Sequence, residues 1–207
     1  MLAPRPGIPL LRDPRQLTSR LRSCPCLRPP ALGILRVGMK RLYLLRHAKS
    51  SWDDPTLADR DRPLAPRGRR AAKVMAQHLG RKGIAPELVL CSPSTRTRQT
   101  LKRLAPGPGK KADVQIEPEL YAAPARNLLE VLHKVPDQVE SVMLIGHYPG
   151  IQDLALSLAR PGSQISRLRR KFPTAALATL ELNGTWRELA PGSAELVSLV
   201  KPKELSR

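Results

Sequence analysis

The chain has few aromatic side chains, few cysteines and no long apolar run, and each shortage excludes a class of protein. Aromatics make up 3% of the 207 residues, so the core must be built from Leu, Val, Ile and Ala. The aromatic platforms that stack single-stranded nucleic acid are missing. Three cysteines without Cys-x-x-Cys or Cys/His zinc spacing exclude a disulfide framework and a zinc finger, and predict a reducing cytoplasm. No apolar stretch approaches the about 18 residues of a membrane span, so no membrane partner is expected.

Acidic side chains are scarce as well. The chain has 36 Lys and Arg residues against 17 Asp and Glu residues, a formal net charge of +19. Such a balance favours an anionic partner, for example a phosphorylated substrate, an acidic protein or nucleic acid. The alternative is a general bias towards Arg, Ala, Pro and Leu, since the basic residues form no single patch in the sequence. Because aromatics are also nearly absent, nucleic acid is not the expected partner.

Residues 1–38 differ in composition from the remainder of the chain. They hold seven arginines, one acidic residue (Asp13) and seven prolines, which predicts a disordered, basic Pro/Arg-rich extension. Arginines interrupt each apolar stretch, so a secretory signal is not expected; an organellar transit peptide stays open, although the prolines disfavour an amphipathic helix. The preferred interpretation is a dispensable extension or an over-called start before Met39, followed by one domain over residues 39–207.

Strands and helices alternate through that domain. Short apolar runs predict buried strands at 42–45, 87–91 and 142–145, and alternation predicts another at 114–117. Apolar residues at helical spacing predict helices over 67–79, 94–104, 128–132 and 151–158, the second ending at the Pro-Gly break of 106–109. A β-rich part follows over 174–182, 186–189 and 194–200. The pattern indicates an α/β fold with three layers, a mostly parallel central sheet flanked by helices.

Reactive side chains follow three of these strands. Arg46 and His47 come directly after the first strand, Ser92 and Arg96 follow the second, and His147 follows the strand at 142–145. Because the carboxyl ends of parallel strands meet at one edge of a sheet, we expect these side chains to converge. Two imidazoles and two planar guanidinium groups are suited to binding phosphate oxygens.

At these residues the chain resembles the histidine phosphatase superfamily, which has the phosphoglycerate-mutase-like fold. The resemblance is strongest to the small SixA-type phosphohistidine phosphatases. The matching segments appear in the family's order: Leu-Leu-Arg-His-Ala-Lys-Ser-Ser-Trp, Asp-Arg-Pro-Leu-Ala-Pro-Arg-Gly, Cys-Ser-Pro-Ser-Thr-Arg-Thr-Arg-Gln-Thr, Glu-Leu-Tyr and Ile-Gly-His-Tyr-Pro-Gly. Ala48 stands where the commonest signature has glycine, which points to the SixA-type branch.

The resemblance implies a role for each matched residue. His47 would attack phosphorus and carry the phosphoryl group covalently, Arg46 and Arg96 would hold its oxygens, and His147 would donate to the same group. This chemistry needs no metal and no other cofactor. Ser92 would either add a hydrogen bond to the phosphoryl group or cap its helix, and the cap is the preferred interpretation.

The acid that protonates the leaving group is less defined. The candidates are Glu119, just before Leu120-Tyr121, and Asp53 or Asp61 in the loop after His47. A protonated phosphohistidine ring is a good leaving group and needs no strong acid. The expected substrate is therefore phosphohistidine in proteins. A small phosphate ester is the alternative within the same chemistry, and a non-catalytic basic binding protein for nucleic acid or phosphopeptide is the alternative from another class.

The remaining histidines and arginines have simpler interpretations. We expect His78 to be a partly buried structural residue and His133 to be solvated near a helix end. Arg62 and Arg67 either extend the positive pocket or cap a helix or pair with Asp59 and Asp61.

Overall fold

The computed structural model describes residues 38–104, 112–162 and 164–205. The predicted extension over residues 1–38, apart from its last residue, lies outside the described residues, as does the Pro-Gly break at 106–109. Along the described part the strands and longer helices follow one another as β1 Lys40–Arg46, α1 Pro66–Arg81, β2 Leu88–Cys91, α2 Thr95–Leu104, β3 Asp113–Ile116, α3 Ala125–His133, β4 Ser141–Gly146, α4 Gly150–Leu158, α5 Ile165–Arg170, β5 Leu177–Leu182, β6 Ala194–Val200 and α6 Pro202–Leu205.

The described strands form one sheet in the order β3-β2-β4-β1-β5-β6. Strand β4 is parallel to both β2 and β1, and β3 is parallel to β2. Strand β5 runs antiparallel to β1 and to β6, so β6 points in the same direction as β1. Five of the six described strands therefore share one direction, which confirms the mostly parallel sheet.

Successive side chains of β1 point alternately into the two cores of the domain. Leu42 and Leu44 pack into a large cluster with apolar residues of α3, α4 and α5. Tyr43 and Leu45 face the other way, into a smaller cluster with residues of α1 and α2. Since successive side chains of a strand point to opposite faces, an apolar run such as 42–45 fits a strand covered by helices on both sides. The three-layer α/β prediction is confirmed.

Two predicted elements differ in the structure. Residues 186–189, predicted within a β-rich part, begin with a short 3-10 helix, Trp186–Glu188, because Thr185 and Glu188 form a capping box. The Trp186 indole is buried there and donates to the Val139 carbonyl at 2.7 Å. The edge strand β3 is exposed throughout, so its alternating pattern reflects the end of the sheet and not a buried face.

Candidate active site

Three strand ends meet in one row of the sheet. Leu45 of β1 and Cys91 of β2 both pair with Ile145 of the central strand β4. The ladder continues one residue further, with the His47 amide donating to the Gly146 carbonyl at 3.0 Å and the Ser92 amide to the Ile145 carbonyl at 3.1 Å. The residues that follow this row lie together, as the predicted parallel sheet requires.

His47 is buried in a defined orientation. Its ring is 8% exposed, and Nδ1 lies 2.8 Å from the Ala48 carbonyl oxygen. A carbonyl oxygen only accepts, so Nδ1 carries the proton and the lone pair is on Nε2. Burial lowers the pKa of His47 to about 3, and the positive charge of Arg96 and Arg46 acts in the same direction. A neutral imidazole with its lone pair on Nε2 is the form that can act as a nucleophile.

Arg46 holds its guanidinium beside this ring. Nη1 donates to the Phe172 carbonyl at 2.8 Å, and the guanidinium carbon lies 4.9 Å from the centre of the Tyr148 ring. Its Nε–H is buried and has no hydrogen-bond partner among the described residues. A buried donor without a partner costs about 1–3 kcal/mol, so an anion able to accept from it would be bound favourably.

His147 lies opposite His47, with 5.2 Å between the ring centroids. Its Nδ1 lies 3.2 Å from Nη2 of Arg96, which only donates, so Nδ1 accepts. The proton is then on Nε2, which donates to the Ser92 hydroxyl at 2.7 Å. Burial and the charge of Arg96 lower the pKa of His147 to about 4. Both imidazoles are thus neutral around pH 7, and both lie close enough to Arg46 and Arg96 to be affected by their charge.

Arg96 is also bound to a carboxylate that the sequence did not indicate as part of the site. Its Nη2 donates to Asp59 Oδ2 at 2.8 Å, and its Nη1 donates to the Asp59 carbonyl. Tyr121 donates to the same Oδ2 at 2.9 Å and sets its ring edge-on to His147, with 5.4 Å between centroids. Burial acts to raise the pKa of Asp59, but the hydrogen bonds from Tyr121 and Arg96 outweigh it and leave that pKa lowered. Asp59 is therefore ionised at neutral pH.

Thr100 of α2 holds the loop that carries His47. Its hydroxyl accepts from the Ala48 amide at 3.0 Å and donates to the Arg96 carbonyl at 2.7 Å. The adjacent Gln99 accepts from the Leu64 amide at 2.8 Å. The helix that supplies Arg96 thus also fixes the backbone immediately after His47.

Two glycines of the matched segments allow close backbone contacts around the site. A Cβ on Gly68 of α1 would lie 2.1 Å from the Lys49 carbonyl oxygen. A Cβ on Gly150, the first residue of α4, would lie 2.0 Å from the Ala123 carbonyl oxygen. Any larger residue would push away the His47 loop in the first case and the segment after Tyr121 in the second.

The predicted helix cap at Ser92 is wrong. Helix α2 begins at Thr95, and the Ser94 hydroxyl is the one that accepts from the Thr97 amide, at 3.4 Å. Ser92 lies too far before the first helical turn to cap it, and its hydroxyl is bound to His147 instead. His133 is not simply solvated either, because its Nε2 lies 2.8 Å from the Leu189 carbonyl oxygen. His78 is buried, as expected.

The three predicted acids are placed differently from Asp59. Glu119 forms a salt bridge with Lys134 at 3.1 Å. Asp53 and Asp61 are exposed, and no side-chain contact ties either one to the histidines among the described residues. The Arg62 guanidinium stacks on Trp52 at 3.6 Å and reaches Asp59 only at 4.0 Å. Asp59 gave no local signal that would separate it from other loop residues, whereas Tyr121 ends the matched segment Glu-Leu-Tyr but had no assigned role.

The described part of the chain holds neither a metal-ligand cluster nor a membrane-spanning helix. Within residues 38–104, 112–162 and 164–205, no group of three or more His, Cys, Asp or Glu side chains is placed to hold a metal ion. In the same ranges no helix has the length and apolar character needed to cross a membrane.

The fold and the cluster define an α/β protein whose candidate site is built from histidines and arginines. A model of the histidine phosphatase superfamily (branch 1) matches residues 42–122. An uncharacterised protein of Mycobacterium tuberculosis is 37% identical over 163 residues, which cover 77% of this chain and 100% of that protein. An uncharacterised chloroplastic protein of Arabidopsis thaliana is 37% identical over 178 residues, covering 79% and 78%.

Solved structures agree with the family match. A provisionally named phosphohistidine phosphatase SixA from Nakamurella multipartitia superposes with a TM-score of 0.70 at 33% identity, covering 80% of this chain and 97% of that one. A protein histidine phosphatase SixA complexed with tungstate gives a TM-score of 0.65 at 25% identity, covering 80% and 99%. The chain belongs to the histidine phosphatase superfamily and is similar to its SixA-type members. This membership supports phosphatase activity.

Proposed function

We propose that this protein is a metal-independent phosphatase that forms a covalent phosphohistidine on His47, and that its substrate is phosphohistidine in proteins. The observation that carries the proposal is the neutral, oriented His47 imidazole within the positive field of Arg46 and Arg96. Its proton is held on Nδ1 by the Ala48 carbonyl, so Nε2 is the nucleophilic atom. A surface histidine near its usual pKa of about 6.5 would be partly protonated and less reactive.

The reaction proceeds in two displacements at phosphorus. In the first, Nε2 of His47 forms a bond to phosphorus as the bond from phosphorus to the leaving nitrogen breaks, and the phosphorylated imidazole is the intermediate. In the second, water attacks phosphorus, the N–P bond breaks, and His47 and inorganic phosphate are regenerated. The protein contributes position and charge to both steps.

The arginines supply that charge. Arg46 and Arg96 are held by carbonyl, carboxylate and imidazole contacts, so they need little rearrangement to donate to phosphoryl oxygens. The unpartnered Nε–H of Arg46 would gain a partner from such an oxygen. The negative charge of the phosphoryl group favours the protonated form of His147. Protonation ends the hydrogen bond that Nδ1 accepts from Arg96 Nη2, so Nδ1 and Arg96 can both donate to phosphoryl oxygens, while Ser92 holds the ring at Nε2.

The lowered pKa of Asp59 supports a substrate whose leaving group needs no acid. An alkyl phosphate needs a proton on the departing oxygen, whereas a phosphohistidine ring can leave already protonated. Glu119, Asp53 and Asp61 remain predictions for a donor, whereas Asp59 is the ionised carboxylate that holds Arg96. The SixA names of the similar structures are in line with this substrate. The cytoplasm is the proposed compartment, from the cysteine usage.

The decisive experiment compares substrates and variants side by side. We expect the highest kcat/KM for a phosphohistidine peptide, lower values for an aryl phosphate, and the lowest for phosphoserine and small sugar phosphates. His47→Ala should abolish turnover of all of them and leave the circular dichroism spectrum unchanged. The matched control is His133→Asn, at a histidine of α3 bound to the Leu189 carbonyl, which should keep activity.

Trapping the intermediate tests the chemistry directly. Rapid alkaline quench should recover acid-labile phosphate on a peptide containing His47, and excess chelator should leave the rate unchanged. Turnover that survives His47→Ala would exclude the nucleophile, and activity lost to chelator would exclude the metal-independent mechanism. A higher kcat/KM for a sugar phosphate than for phosphohistidine would replace the protein substrate with a small ester.

A further inference from the structure

A large basic cavity lies beside the candidate active site, and the proposed chemistry does not use it. Its volume is about 1010 Å³. This basic cavity is lined by six cationic side chains, one acid and a few small apolar or hydroxyl residues: Lys49, Arg67, Arg70, Lys171, Lys201 and Lys203, then Glu204, and Ala71, Val74, Pro173, Thr174 and Pro202.

The basic cavity lies at the same edge of the sheet as His47. Leu45, two residues before His47, pairs with Leu177, and Leu177 pairs with Val200 at the end of β6. Neighbouring strands are about 4.8 Å apart, so Val200 lies about 10 Å from Leu45. Lys201 follows Val200 directly.

Two segments are shared by the basic cavity and the active site. Lys49 lies on the loop that carries His47. Thr174 precedes Ala175, whose amide lies 3.1 Å from the carbonyl oxygens of both Arg46 and His47. A molecule in the basic cavity would therefore lie next to whatever occupies the phosphoryl site.

The cations of the basic cavity have no acidic partner. None of the six forms a salt bridge with any residue in the described ranges. The acid in the lining, Glu204, is already paired with Arg167 at 2.8 Å and also accepts from the Lys201 amide. Among the described residues this face thus keeps a local positive charge without a counter-charge, and an external anion would neutralise it.

The cations of the basic cavity differ in kind from the arginines of the candidate active site. Arg46 and Arg96 are held by hydrogen bonds, as a tight site for one phosphate requires. Four of the six cations in the basic cavity are lysines, which are flexible point charges, and the six come from four separate stretches of the chain. Such dispersed charge suits several separated carboxylates. The lining contains no aromatic side chain, so it lacks a stacking platform for single-stranded nucleic acid.

We propose that the basic cavity docks an acidic segment of the protein substrate while its phosphohistidine occupies the site at His47. The inference rests on the proposed phosphatase function and adds to it the chemistry of the partner. An extended chain advances about 3.3 Å per residue, so acidic residues three or more positions from the phosphohistidine would reach the basic cavity.

The test uses two phosphohistidine peptides of equal length. One carries four Asp or Glu residues starting three positions from the phosphohistidine, and the other carries Asn and Gln there. Two double variants reverse charge in the basic cavity, Lys201→Glu/Lys203→Glu and Arg70→Glu/Lys171→Glu. The control, Arg126→Glu/Arg187→Glu, makes the same charge change at exposed residues outside the basic cavity.

We expect the wild type to prefer the acidic peptide about tenfold in kcat/KM, with the preference falling at high salt. Both basic-cavity variants should lose that preference, whereas the control should keep it, and aryl phosphate turnover should change less than about twofold in all three. The unphosphorylated acidic peptide, labelled with a fluorophore, should bind the wild type and the control but not the two variants.

Equal kcat/KM for the two peptides in the wild type would overturn the docking proposal. If a short oligonucleotide displaces the labelled peptide at a lower concentration than the unlabelled peptide does, the occupant of the basic cavity is nucleic acid and not an acidic protein segment. The same result with pyrophosphate would make the occupant a small phosphate. The phosphatase proposal fails separately, if aryl phosphate turnover survives His47→Ala, since binding of unphosphorylated peptide still tests the basic cavity.

Discussion

Acidification should destabilise this protein more steeply than its carboxylates alone would require, because two buried imidazoles are held neutral. The pKa values of His47 and His147 are lowered to about 3 and about 4, whereas an unfolded histidine titrates near about 6.5. Below that value the unfolded chain takes up protons that the folded protein cannot. Stability is therefore complete above about pH 6.5 and is lost as the pH falls towards the folded-state pKa values.

As long as both histidines stay neutral in the folded protein, the loss of unfolding free energy on acidification depends only on their pKa in the unfolded chain. Between pH 7 and about pH 5, each of the two histidines should lower the free energy of unfolding by about 2 kcal/mol, or about 4 kcal/mol together. That sum is a large part of the free energy of unfolding of a typical domain, which is roughly 5–15 kcal/mol. The low pKa values are consistent with side chains that are 8% and 6% exposed.

Urea unfolding at a series of pH values measures this loss. His47→Asn and His147→Asn each remove one titrating ring, so each variant should lose about 2 kcal/mol less than the wild type between pH 7 and about pH 5. The contributions of groups present in both proteins, such as His78, cancel in the difference. The imidazole proton resonances of both histidines should stay at their neutral positions over this range.

A wild type and a His47→Asn variant that lose the same stability would refute the neutral, buried His47. The proposed nucleophile would then lose its main support, because a His47 that protonates near pH 6.5 has no lone pair to offer in acid. An imidazole resonance that shifts with a midpoint near pH 6.5 would have the same meaning.

Three further substitutions test the architecture of the site. Arg96→Lys should lower kcat for an aryl phosphate about 10²-fold or more because a lysine cannot form the paired contacts of a guanidinium, whereas exposed Arg98→Lys on the same helix should change it less than about twofold. Gly68→Ala should destabilise the protein by about 1–3 kcal/mol and impair turnover, since the new Cβ would lie 2.1 Å from a carbonyl of the His47 loop. In the same helix a Cβ on Gly80 would meet no atom within 4 Å, so Gly80→Ala should stabilise the protein by about 0.5–1 kcal/mol. Equal changes in stability for Gly68→Ala and Gly80→Ala would contradict the close contact between Gly68 and Lys49. Thr100→Val should cost about 1–2 kcal/mol in urea unfolding, because a buried backbone amide loses its acceptor, and a stability equal to the wild type would show that the hydrogen bond is not formed.

Local patterns were sufficient for most of the sheet. Strand β4 and the run at 42–45 are short and apolar because both of their faces are covered by helices. A short, continuous apolar run is therefore readily assigned to a buried strand. The segment at Trp186 was misassigned because a capping box between Thr185 and Glu188 outweighed its β-favouring side chains. The exposure of β3 depends on its place at the edge of the sheet, which a local pattern does not record.

The candidate site divides in the same way. Arg46, His47, Arg96 and His147 could be singled out because each follows a strand or opens the next helix, where reactive side chains of an α/β protein collect. Asp59 could not, and Tyr121 belonged to a matched segment without an assigned role, because both residues lie in loops and meet Arg96 and His147 only through the fold. Ser92 was assigned to the wrong task because a serine before a proline resembles a helix cap, whereas its real partner is 55 residues away.

The sequence by itself determined the α/β class, the family and the reactive side chains that meet at one sheet edge, because strand periodicity and strand-end motifs are properties of consecutive residues. Only the tertiary structure decided the protonation of His47 and His147, the carboxylate on Arg96 and the grouping of six cations in the basic cavity. Burial, pKa and local charge are set by neighbours that are distant in the chain, and no window of the sequence contains them.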